Sequence, residues 1–134
     1  MQDLTWVGGY IGTPYVVCNC VQLVGKVLSE VYGLTAVGNA LSAEPEHTAG
    51  SLARCEAIRL KQTHYAETRG FGAEESGDGV VLSSGGRLQH VGIYLEKDGR
   101  RWVLHTTKEN GAVLESLEAI CGKYKLVAFY EWIV

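Results

Sequence analysis

An α+β fold, with N-terminal helices packed on a C-terminal antiparallel sheet, is predicted by three features of this 134-residue chain. A strongly amphipathic helix starts near residue 20. From residue 79 the sequence changes to short β-rich segments. Asp98-Gly99 lies between two of these segments as a hairpin signal. Helices first and antiparallel strands second is the segregated order of the α+β class.

The elements follow in order. Residues 3–10 read as a short helix with Trp6 and Tyr10 on one side, running into the Gly12-Thr13-Pro14 turn. Residues 20–32 carry Val24, Val27, Leu28 and Val31 at i+4, i+7, i+8 and i+11 from Cys20, one stripe of period 3.6. Asn19 is a good N-cap, Gln22 completes a capping-box variant, and Gly33 is placed to end the helix. Residues 34–47, rich in Gly, Ala and Ser, read as connecting structure, and residues 48–65 as a second helix with Leu52, Cys55, Ile58 and Leu60 on its apolar side. Residues 67–78 hold three glycines and five charges without a period and read as a loop. The segments GVVLSS, HVGIYLE, RWVLHTT, GAVLES and KLVAFYEWIV then read as strands, with one helical turn at residues 116–122.

Size and composition narrow the function. Residues 1–134 are taken as a single domain, large enough to bury about two thirds of its unfolded surface. The net charge of -3, without a long Lys/Arg run, argues against a nucleic-acid surface. The cysteines at 18, 20, 55 and 121 have no framework spacing, so neither a disulfide scaffold nor a structural zinc site is indicated, and no cofactor is called for. MQDLTWVGGY lacks the blocks of a signal peptide, and no apolar run approaches the roughly 20 residues of a membrane span. The expectation is a soluble chain made in the cytoplasm, which something else carries if it acts outside.

Taken alone, Cys20 reads first as a small buried residue. Its place at a helix start supplies the other reading, because unpaired backbone N–H groups and the positive end of the helix dipole favour a thiolate. Such a nucleophile needs a base and often a third group to orient that base. His47 and His64 sit in polar surroundings, whereas His90 opens one strand and His105 lies on the next. If the hairpin closes on Asp98-Gly99, positions whose numbers sum to about 197 face one another. Thr107 then faces His90, and His105 lies opposite Gly92, on the face of His90 and one diagonal step away. The implied site is papain-like: Cys20 attacks a carbonyl, His90 moves the proton, His105 orients His90, and the Cys20 N–H serves the oxyanion. A metal site from Cys18, Cys20 and His90 is the competing reading, on a weak Cys-x-Cys spacing.

Several motifs in order resemble a family. GTPYVV at 12–17 resembles a G-x-P-Y-x-W lead-in, and NCVQLV at 19–24 a D-C-S-G-L-V nucleophile motif. SGDGVVL at 76–82 is similar to a P-G-D-L-V strand, and HVGIYLEKDGRRWVLHTT at 90–107 to the histidine strand, turn and I-H-A strand that follow it. These are the motifs of the NlpC-type papain-like peptidases, which cut bacterial cell-wall peptides and include versions carried by phage tails. The resemblance implies Cys20 as nucleophile, His90 as base, His105 as orienting residue and Tyr15 on the substrate side. It implies a cysteine endopeptidase or amidase that hydrolyses a peptide bond in peptidoglycan stem peptides, placed in a virion tail or delivered to the cell wall, with other phage-tail proteins as partners. Asn19, Val21 and Gln22 stand where the family has Asp and a Ser-Gly pair, and the Trp-Gly-Gly loop is missing. These departures motivate an alternative, an inactive tail or cell-wall binding module. The thiol itself allows a third, an acyltransferase.

Overall fold

The computed structural model describes residues 4–17, 20–42, 66–84 and 87–133. The predicted helix at 48–65, His47, His64, Cys18, Cys55 and Asn19 lie outside the described residues. The first element is a 3₁₀ turn, Thr5–Gly9, whose Trp6 meets the rings of Tyr10 and Tyr32 edge-on. Helix α1 is Cys20–Glu30, and it buries Cys20, Val24, Val27 and Leu28 as the period requires. After it, the Leu34 N–H donates back to the Leu28 carbonyl at 2.9 Å.

A second helix, α2 (Thr35–Ser42), corrects the reading of this stretch as connecting structure. Val37 and Leu41, four apart, enter the core. Gly38, which weakens the helix signal, is where α2 crosses α1: a Cβ there would lie 2.6 Å from the Gly25 carbonyl.

The six strands are β1 (Ala66–Arg69), β2 (Gly79–Ser84), β3 (Arg87–Lys97), β4 (Arg100–Thr107), β5 (Gly111–Ser116) and β6 (Lys125–Trp132). They form one antiparallel sheet in the order β1-β6-β2-β3-β4-β5. A third helix, α3 (Leu117–Lys123), joins β5 to β6, with Ser116 Oγ accepting from the Ala119 N–H as its cap. The fold is thus α+β, as predicted. Strand β1 corrects the loop expected over residues 67–78. Its sequence AETR has no apolar alternation, and its place rests on pairing with β6 and on Arg69, which bridges Asp78 (2.7 Å), Glu75 and Glu131 (3.1 Å each).

The Asp98-Gly99 turn has positive φ at both residues, 54° and 76°, the geometry that matches strand twist in a two-residue hairpin. Its register follows the predicted sum, from Lys97 opposite Arg100 to Ile93 opposite Leu104. The alternation it sets divides the core in two. Val91, Ile93, Leu95 and Leu104 pack with α1, while Tyr94 and Val103 pack on the other face with Leu117 and Ile120 of α3.

The segment ahead of α1 is tied to β5. Gly12 N–H donates to the Ala112 carbonyl (2.8 Å) and Ala112 N–H to that of Thr13 (2.9 Å). Gly111, at φ 69°, makes this possible, since a Cβ there would collide with the Thr13 carbonyl. Gly111→Ala is expected to cost about 1–3 kcal/mol, from backbone strain and overpacking together. Urea unfolding would read this, and an unchanged midpoint would rule out the docking described.

Candidate active site

His105 sits where the hairpin register places it, and the paired run of β3 on β4 ends at Ile93 opposite Leu104, short of His90 and Thr107. A Cβ on Gly92 would lie 3.2 Å from that of His105, so His105 is next to Gly92 as predicted. His90 opens the paired run at Leu82, and just before it β3 carries one extra residue, since Leu82 faces His90 but Ser83 faces Leu88. Such a bulge bends the strand and re-aims the side chain beside it. The result is direct contact: His90 Nε2 lies 2.6 Å from His105 Nδ1, with the rings edge to face.

The chain of contacts continues past His105. Its Nε2 lies 3.0 Å from Glu115 Oε1 on β5, and Lys123 Nζ at the end of α3 donates to Glu115 Oε2 at 2.6 Å. Burial pushes the Glu115 carboxyl up, but the hydrogen bonds from Lys123 and His105 outweigh it and leave it below its ordinary value. Glu115 is therefore a carboxylate, able only to accept. Burial lowers His105 even against the pull of Glu115. Burial, then the neighbouring His105, pushes His90 down to about 3. Both rings are neutral at pH 7, the form in which an imidazole can accept a proton.

Tyr124 lies against His90. The Tyr124 ring stacks on His90 at 5.3 Å with an interplanar angle of 22°. Burial raises the Tyr124 phenol, Lys123 opposes this, and Glu109, Glu115 and the nearby Cys20 add to it. Cys20 itself belongs to the core on the α1 face, whereas the histidines share the face of Tyr94 and Val103. Residues 12–13 dock on β5, and α1 begins seven residues later. All three predicted groups are buried: Cys20 is 2% exposed, His90 7% and His105 1%.

Tyr15 is placed differently. It lies beside the turn after β4, with Lys108 Nζ 5.9 Å from its ring centroid. Val21, whose bulk replaces a small residue of the family motif, is directed into the core. Among the described residues no three His, Cys, Asp or Glu side chains are arranged to hold a metal ion, and no helix is long and apolar enough to cross a membrane. Cys18, which the metal reading needs, is outside the described residues.

Glu115, Lys123 and Tyr124 were not anticipated from the sequence. Glu115 had a readable signal, a charge at a position that shares its strand face with Val113, opposite His105. Lys123 and Tyr124 had none, because only the turn from α3 into β6 brings them back over the histidines.

No protein-family model matches the chain, and no curated protein matches it. Among solved structures, it is similar to two of an N-acetylmuramoyl-L-alanine amidase from Bacteroides uniformis ATCC 8492, at 1.30 and 1.15 Å resolution. The identities are 16% and 14%, over 80% and 83% of this chain, each with a TM-score of 0.42. The chain spans 50% of the length of each of these structures.

Proposed function

We propose that this protein is a cysteine endopeptidase or amidase of the NlpC-like, papain-like kind, which hydrolyses a peptide bond in peptidoglycan stem peptides. The observation that carries this reading is the unbroken series Glu115–His105–His90, to which we assign as nucleophile Cys20, the first residue of α1. His90 takes the proton of the Cys20 thiol, and the thiolate attacks the scissile carbonyl carbon. The Cys20 backbone N–H, at the first position of α1, serves the oxyanion. His90 returns the proton to the leaving amine as the C–N bond breaks, and water then releases the acid from the thioester. The low affinity of resting His90 for a proton means that it holds one only while thiolate or oxyanion charge is next to it. The cell-wall substrate follows from the motif resemblance, as does delivery to the wall by a carrier such as a phage tail.

The burial of Cys20 favours one second reading, a wall-binding module without turnover. Alkylation separates the two. One equivalent of iodoacetamide, mapped by peptide analysis to Cys20, is expected to stop release of new amino groups from purified stem peptides. Hydrolysis that persists with Cys20 fully labelled would overturn the catalytic reading. A thiol that resists the reagent at neutral pH, in a protein that still binds murein, would establish the binding module.

A further inference from the structure

We propose that Glu115 is a positioning residue that sets the tautomers of both histidines, and so makes Nδ1 of His90 the basic nitrogen of the site. Glu115 can only accept, so His105 must carry its proton on Nε2, which lies 3.0 Å from Glu115 Oε1. A neutral imidazole with its proton on Nε2 has a lone pair on Nδ1. That lone pair faces His90 Nε2 at 2.6 Å, so His90 donates from Nε2 and keeps its own lone pair on Nδ1. One carboxylate thus fixes two proton positions, the second of them two hydrogen bonds away.

Consecutive residues hold the two ends of this series. Lys123 binds the second oxygen of Glu115 at 2.6 Å, and Tyr124 covers the ring of His90. Glu115 is held between β5 and the end of α3, and His90 cannot turn about its own axis without breaking the stack. If Glu115 offered no acceptor, the opposite arrangement would be equally well bonded. His105 would donate from Nδ1 to His90 Nε2, and His90 would carry its proton on Nδ1, with no lone pair there to take a proton from a thiol.

The role of this tautomer in hydrolysis rests on the proposed function, but the tautomer itself is measurable in the resting protein. Nitrogen-15 NMR of histidine-labelled protein at pH 7 is expected to show both His90 and His105 protonated on Nε2. In Glu115→Leu the proton of His90 is expected on Nδ1 in at least about half of the molecules, and hydrolysis of stem peptides should fall about 10²- to 10⁴-fold, the contribution of a general base. In Glu115→Gln, of nearly the same shape, the amide oxygen stays with Lys123 Nζ and the NH2 faces His105 Nε2, so the His90 proton is expected to move to Nδ1 there too, and this variant serves if the leucine variant does not fold. Lys123→Met should leave both tautomers unchanged. His90 remaining protonated on Nε2 in Glu115→Leu, or protonated on Nδ1 in the wild type, would overturn the proposal. Tautomers that behave as stated in a protein without hydrolytic activity would leave this inference standing and remove the proposed function instead.

Discussion

Replacing Cys20 by alanine is expected to abolish hydrolysis of cell-wall peptides, on the order of 10⁴- to 10⁶-fold, while leaving a folded protein that still binds them. The loss is large because the remaining groups can polarise a carbonyl and move a proton but cannot form the covalent intermediate. The structural cost is small. Cys20 is 2% exposed at the start of α1, packed with Val24, Val27 and Leu28, and alanine removes one atom from that contact. Burial of a group of this size is worth about 1 kcal/mol, which a domain of ordinary stability survives. The measurement pairs turnover on purified stem peptides with a urea unfolding curve on the same sample. Turnover within a few-fold of wild type would eliminate Cys20 as nucleophile. Loss of turnover together with loss of folding would be resolved by Cys20→Ser, which keeps the volume and a polar atom but lacks the thiolate.

The sequence carried the sheet more fully than it carried the site. Period-two patterns and the Asp98-Gly99 turn set the register of β3 on β4, and that register alone brought His105 beside Gly92. Local chemistry was sufficient there because a hairpin is a local object. What was missed depends on contacts distant in the chain. Strand β1 has no apolar pattern of its own and is held by an arginine reaching three carboxylates, one of them on β6. Helix α2 hides behind Gly38, a poor helix former required by the closeness of α1. In the site, the bulge before His90 has no signature in the residues that form it, yet it sets where that ring begins. Val21 stands where the family motif has a small residue. On α1 that position turns inward to the core.

Acidification below pH 6.5 is expected to destabilise the protein. His90 has a folded value of about 3 against 6.5 in the unfolded chain, so below pH 6.5 the unfolded state binds a proton that the folded state refuses. The stability this represents is fully present above pH 6.5 and is lost progressively as the pH falls toward 3. At about 1.4 kcal/mol per pH unit, His90 alone removes roughly 2–3 kcal/mol by pH 4.5. The groups facing it do not cancel this. His105 is lowered by burial and acts in the same direction. Glu115, also lowered, adds its own loss as the pH falls through its folded value. The Tyr124 phenol, raised above its ordinary value, does not titrate in this range. Asp78, at the other end of β3 and raised by burial, works the opposite way, because the folded state gains a proton there first as the pH falls. Urea midpoints between pH 7 and 4.5 should therefore decline in the wild type and decline less in His90→Gln, where the difference approaches one proton. Equal slopes in the two proteins would mean that His90 is solvated rather than held neutral between His105 and Tyr124.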